Sequence, residues 1–127
     1  MYSVEADRSK RLIVISAAGH VTKEEVKAAA QKMREVVAEV EPGFRLFTDF
    51  RWLESMDASA TAEVAEIMDV LTEKQVGSVT RVVPDPRKDI GLNILSRFHY
   101  DPKIRIVTFE TLADALQSLI GLGNGDS

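Results

Sequence analysis

The chain contains no cysteine, which excludes thiol catalysis, disulfides and Cys-ligated zinc together and fits a reducing compartment. Histidine is scarce as well. His20 and His99 are far apart, and neither has the carboxylate or second-histidine spacing that metal ligation needs, so each reads as a loop residue. Aromatics make up only 6% of the chain, with a single tryptophan, Trp52. No apolar run reaches the ~20 residues of a membrane span, and MYSVEADRSKR at the start carries no apolar segment after its charges. A basic excess is missing too: 16 Lys and Arg face 20 Asp and Glu, for a net charge of -4, which argues against nucleic-acid binding. There is no G-x-S-x-G elbow, no G-x-G-x-x-G and no phosphate-binding loop. The expectation is a cytoplasmic, non-enzymatic protein with no cofactor, no metal and no stable membrane insertion.

What remains is ordinary globular composition, 45% hydrophobic and 28% charged over 127 residues, enough for one self-sufficient domain. Tyr2, Val4 and Ala6 alternate as a first, edge strand. Leu12–Ala18 is a β-branched apolar run, so the two form a hairpin across Asp7–Arg11, with Gly19 ending it. Thr22-Lys23-Glu24-Glu25 is a capping box, and Val26, Ala29, Ala30, Met33, Val36, Val37 and Val40 make a helical stripe stopped by Pro42-Gly43. Phe44, Leu46, Phe47 and Phe50 predict a strand that gives way to a short polar turn. A second helix should start near Asp57 or Ala58 and bury Val64, Ile67, Met68 and Leu71. Val79–Val83 is a strand. A third helix should bury Ile90, Ile94, Leu95 and Phe98. Ile104–Phe109 is the last strand, and Thr111 through Ile120 the last helix. Residues 121–127 form a glycine-rich, flexible tail behind a single domain over 1–120.

The predicted order is ββαβαβαβα, a mixed, mostly parallel sheet with helices packed on it. That order resembles the STAS domain of anti-sigma-factor antagonists and of the cytoplasmic ends of sulfate transporters. More narrowly it is similar to the SpoIIAA-like branch that overlaps the Sec14-type lipid-binding grouping. Three stretches carry the resemblance: Leu12–Thr22 with Gly19; Phe47-Thr48-Asp49-Phe50 with Leu53 and Met56-Asp57; and Phe109–Leu116. Each is weakly specific alone, and their order over about residues 3–120 gives them weight. The resemblance implies a regulatory protein-interaction module. In the antagonist branch the Asp at the second helix start is followed by a Ser that a kinase phosphorylates. Here Ala58 follows Asp57, Ser59 comes one residue later, and Ala60 stands where a Gly is usual, which puts the switch in doubt.

Strand, turn and helix start at the carboxyl edge of an α/β sheet form the place to look for function. Asp57, Ser59 and Thr61 there read either as an ordinary helix start or as a partner-facing one, with Ser59 as the phosphorylation candidate. Arg81, Arg87 and Lys88 flank Pro84-Asp85-Pro86 on the same edge. They read as a solvated turn, or, through Arg87 and Lys88, as a basic pair for an acidic partner surface or an anionic head group. Trp52 is either packed under a helix or part of an apolar contact patch shared with Phe98 and Tyr100. The partner-binding candidates are therefore Arg51, Trp52, Met56, Asp57, Ser59, Arg87 and Lys88. Three readings follow: docking onto a protein partner or a second copy in a homodimer; a Sec14-like binder of a lipid or small apolar ligand, in a cavity left by Ala58, Ala60, Ala62 and Ala65, residues that equally allow close helix–sheet packing; and, poorest, a hydrolase using Ser59 or Asp57.

Overall fold

A computed structural model of the chain describes residues 1–123, with side chains through residue 120. Five strands form one sheet: β1 (Tyr2–Asp7), β2 (Leu12–Val21), β3 (Arg45–Met56), β4 (Ser78–Val82) and β5 (Arg105–Phe109). They lie side by side in chain order, β1 antiparallel to β2 and the rest parallel. The connecting helices are α1 (Lys23–Val36), α2 (Thr61–Glu73) and α3 (Ile90–His99), and α4 (Leu112–Gly123) ends the described chain. The ββαβαβαβα order and the mostly parallel sheet are as the sequence predicts. Backbone helix continues three residues into the glycine-rich end, and residues 124–127 of the expected tail lie outside the described residues.

Parallel neighbours joined by crossover helices put α1, α2 and α3 on one face of the sheet. There α1 packs on α2 and α2 on α3. The core on that side holds Ile13, Met33, Phe44, Leu46, Leu71 and Val79, all at most 2% exposed. The opposite face carries a smaller cluster, Phe47, Val82 and Ala115, under α4. The Thr22 capping box forms as predicted: its hydroxyl accepts from Glu25 N–H, and the Glu25 carboxylate accepts from Thr22 N–H. α1 stops at Val36 rather than Val40, because the next three residues tighten into a 3-10 turn before Pro42.

Two differences shape the working edge. The strand read as ending near Phe50 runs on to Met56, so the expected polar turn is strand. β2 also continues past Gly19, whose φ of +68° absorbs one of two register shifts between β2 and β3. A bulge of this kind bends and twists a strand, and here it sets His20 beside Ser55 and Val21 beside Met56. α2 then begins at Thr61, after a 3-10 turn over Ala58–Ala60.

The third helix corrects the sequence reading most sharply. Ile90, Ile94 and Phe98, expected in the core, are 58%, 50% and 79% exposed; of the expected inward set, only Leu95 packs against the core. A polar network beneath α3 sets its rotation. Arg81 on β4 is 2% exposed, donating from Nη1 to Asn93 Oδ1 at 3.2 Å and from Nη2 to Ser96 Oγ at 2.5 Å. Asp89, 5% exposed, accepts from Asn93 Nδ2 and Thr108 Oγ1, and its other oxygen lies 3.7 Å from Arg81 with no hydrogen bond. Buried charges demand partners. Turning Asp89, Leu92, Asn93 and Ser96 toward the sheet therefore turns the Ile90–Ile94–Phe98 stripe away from it. Burial pushes the Arg81 guanidinium below its ordinary pKa, while Tyr100 and Asp89 nearby pull the other way. Arg81 is thus part of the interior and not of a partner-facing turn.

Candidate functional site

The end of β3 gathers the candidate residues around one cross-link. Asp57 does not cap the helix that follows it. Its Oδ2 instead accepts from the backbone N–H of Lys23 at the start of α1, 2.8 Å away, and Oδ1 lies 2.8 Å from His20 Nε2. The Lys23 N–H first, then the histidine, hold the Asp57 carboxyl below its ordinary pKa. His20 Nδ1 lies 2.7 Å from Ser55 Oγ. His20 is therefore a strand residue and not the loop residue expected. Together Ser55, His20 and Asp57 clamp the β3 end to the α1 start. His99, the other histidine, ends α3 and bonds Asp69 on α2. Among the described residues no three His, Asp or Glu side chains converge to hold a metal ion.

Between this edge and α3 runs a groove of about 450 Å³, lined on one side by Leu53, Met56, Asp57 and Ala58 and on the other by Lys88, Ile94 and Leu95. Lys88 closes one end by donating from Nζ to the Leu53 carbonyl at 3.0 Å. Met56, Asp57 and Lys88 are thereby brought together, 32 positions apart at the extremes. Arg87 is not among them. It points to solvent and forms a two-pronged pair with Asp85, whose carboxyl that pairing lowers in pKa. Ser59 is exposed in the 3-10 turn, and Ala60 behind it is fully buried. Arg51 pairs with Asp49 through both guanidinium arms, and its cationic centre sits 5.6 Å from the Trp52 ring centroid. Trp52 itself is 67% exposed rather than packed under a helix. Of the patch expected with it, Phe98 is exposed and Tyr100 is buried, its hydroxyl pKa pushed up by that burial.

Beneath the groove lies a small apolar cavity of about 80 Å³ between the sheet and α1–α2. Phe50, Met56, Val64 and Leu92 line both spaces and form the partition between them. Sequence reasoning missed the His20–Asp57 clamp, the Arg81–Asp89 network and the outward stripe of α3. The first two join positions distant in the chain. The third had a signal, since Asp89, Asn93 and Ser96 share a helical face that could have been read as inward.

No family model and no curated protein matches this chain in sequence. Solved structures match it along nearly its whole length. A protein of the DUF3478 family with a SpoIIAA-like fold, from Shewanella loihica, superposes with a TM-score of 0.71 at 17% identity, covering 93% of each chain. The anti-sigma factor antagonist SpoIIAA in its unphosphorylated form gives 0.65 at 17% identity, covering 95% of this chain and 99% of that one. An anti-sigma factor antagonist from Mycobacterium paratuberculosis gives 0.57 at 21% identity, over 94% and 95%. The chain has the SpoIIAA-like, STAS-type fold.

Proposed function

We propose that this chain is a non-enzymatic regulatory module that docks a protein partner through the outer face of α3 and the adjoining β3 edge. The observation that carries the reading is the unburied stripe of Ile90, Ile94 and Phe98, presented by a helix whose other side is held down by buried polar bonds. Apolar residues of this size, spaced one helical turn apart, serve as interface anchors, with charges choosing the partner. Lys88 and Arg97 flank the stripe, which favours a partner with an acidic rim. On the β3 edge, Trp52 with Arg51 adds an aromatic anchor, Met56 and Asp57 line the groove, and Ser59 lies exposed just outside it. Arg87 contributes charge beyond it. Similarity in fold to anti-sigma factor antagonists supports a regulatory role in the cytoplasm, with either a regulator or a second copy of the chain as partner.

Phosphorylation belongs to this reading only through Ser59, exposed one residue past the position the family uses. Phosphate on Ser59 Oγ would add charge beside Asp57 and weaken docking of an acidic partner. Intact-mass analysis of protein from its native source checks it, and absence of a +80 Da form under every growth condition would end it. For docking itself, the test is the pair I94D and F98D. Both positions face solvent, so fold stability should move by no more than ~0.5 kcal/mol. Partner capture should be lost, since anchor residues commonly carry 2 kcal/mol or more. Full capture by the doubly substituted protein would sink the proposal.

The apolar cavity beneath the groove favours a second reading, a Sec14-like binder of a small apolar ligand. At about 80 Å³ it holds little by itself, and a ligand would have to displace the Phe50–Met56–Val64–Leu92 partition to reach the groove.

A further inference from the structure

The opposite, amino-terminal edge of the parallel strands takes no part in the docking face. Arg45, Ser78 and Arg105 open β3, β4 and β5, and they are register partners in one row across the sheet. Register partners in parallel strands project to the same face, so these three side chains stand next to one another. The β1–β2 turn brings Ser9, Lys10 and Arg11 to the same place. With Gly43 and Gly77 these residues line an open depression of about 690 Å³. Four cationic side chains thus converge from distant parts of a chain whose net charge is -4.

Their charge is offset only in part, by Asp7 in the turn, which feels the charge of Lys10. Among the described residues no carboxylate lines the depression, and none of the four forms an ion pair. Asp7, the acidic residue of the turn, is engaged by the Ser9 hydroxyl and the Lys10 N–H. Backbone carbonyls hold two of the guanidiniums instead. Arg45 donates from Nη1 to Leu119 O at 3.1 Å and from Nη2 to Lys10 O at 2.8 Å, and Arg11 donates to Pro42 O. A carbonyl fixes a guanidinium in place without cancelling its charge, and an arginine with five N–H donors keeps several free.

The backbone is shaped around this arrangement. Arg11 sits at φ +51°, a left-handed conformation that costs a residue with a Cβ on the order of 1 kcal/mol. Gly43, at φ +85°, leaves the floor bare: a Cβ there would come within 2.9 Å of Arg11 Nη2. At Gly77 a Cβ would meet the Gly43 carbonyl at 2.7 Å.

We propose that this depression is a binding site for a soluble small molecule carrying a diphosphate or an equivalent multiply charged oxyanion. Arginine forks match phosphate oxygens in pairs, and fixed ones lose little freedom on binding. Arg45 and Arg105 stand two strand spacings apart, about 10 Å at the backbone, and can close on a diphosphate from both sides. Lys10 and Arg11 meet its outer oxygens, and the Ser78 hydroxyl lies between.

The test is a titration of the full-length, 15N-labelled protein with inorganic pyrophosphate at constant ionic strength, followed by two-dimensional NMR. Saturable shifts confined to residues 9–12, 43–45, 77–79 and 105–106 are expected. K10E/R105E, changed at two exposed side chains with no bonding partner among the described residues, should keep its melting temperature and bind about 100-fold more weakly, tenfold per lost charged contact. R105Q alone should weaken binding about tenfold and serves if the double variant fails to fold. Shifts that grow linearly without saturating, shifts spread over the surface, or unchanged affinity in both variants would overturn the proposal. Flotation with phosphatidic-acid vesicles that excess pyrophosphate does not compete away would also overturn it, because the anion would then be a lipid headgroup.

Discussion

Replacing Arg81 by Met tests whether the polar network under α3 is the reason its apolar stripe faces outward. Arg81 and Asp89 are 2% and 5% exposed, and among the described residues one Asp89 oxygen has no hydrogen-bond partner, with the guanidinium 3.7 Å away. Met fills much of the arginine stem volume, so the loss is mainly electrostatic. An abandoned buried charge typically costs about 3–5 kcal/mol. In a domain of this size that lowers the melting temperature by about 10–20 °C. Changing Asp89 to Asn in the R81M background removes the stranded charge and keeps its bond to Thr108. The double variant should therefore recover part of the loss, with a coupling energy of about 1–3 kcal/mol. Urea unfolding of all four proteins at neutral pH supplies the cycle. A loss below ~1 kcal/mol for R81M, or an additive cycle, would refute the reasoning, because the rotation of α3 would then need another cause.

Thr22→Ala removes the hydroxyl that accepts from Glu25 N–H and should cost about 1 kcal/mol in thermal unfolding; no measurable change would mean the box does not stabilise α1. Asp57, held below its ordinary pKa of 3.8, stabilises the fold above that value, and the contribution is lost as pH falls through the lowered pKa. Asp57→Asn should accordingly flatten the acid limb of stability against pH without abolishing it, since Asp49 and Glu25 are lowered too, and an unchanged limb would show that the clamp does not form. Gly77→Ala forces a Cβ against the Gly43 carbonyl and should destabilise by about 1–3 kcal/mol, read from the urea midpoint.

Local chemistry made much of the fold legible. Thr22 and Glu25 announce α1 because both halves of the capping box lie within one turn of chain, and the Leu12–Ala18 run declares its strand by composition. The element order and the mostly parallel sheet followed from alternation of strand and helix patterns. What sequence could not reveal was bonding between distant positions. Asp57 is a good capping residue by type, yet it bonds the start of a different helix because the β2 bulge brings His20 and Lys23 to it. Periodicity misled in α3, where Ile90, Ile94 and Phe98 make a regular stripe that a sequence reader assigns to the core. Arg81, from a strand, decides the matter by requiring polar partners on the other face. Of the candidate residues, Met56, Asp57 and Lys88 line one groove, while Arg87 and Ser59 remain outside it.

Native mass spectrometry of the protein purified gently from its own source tests the docking reading most directly. A complex with a protein partner or a second copy, dissociated in the I94D/F98D variant, is the predicted result. A monomer that carries a co-purifying small apolar molecule, identical in mass for both proteins, would contradict docking through α3 and favour the cavity instead.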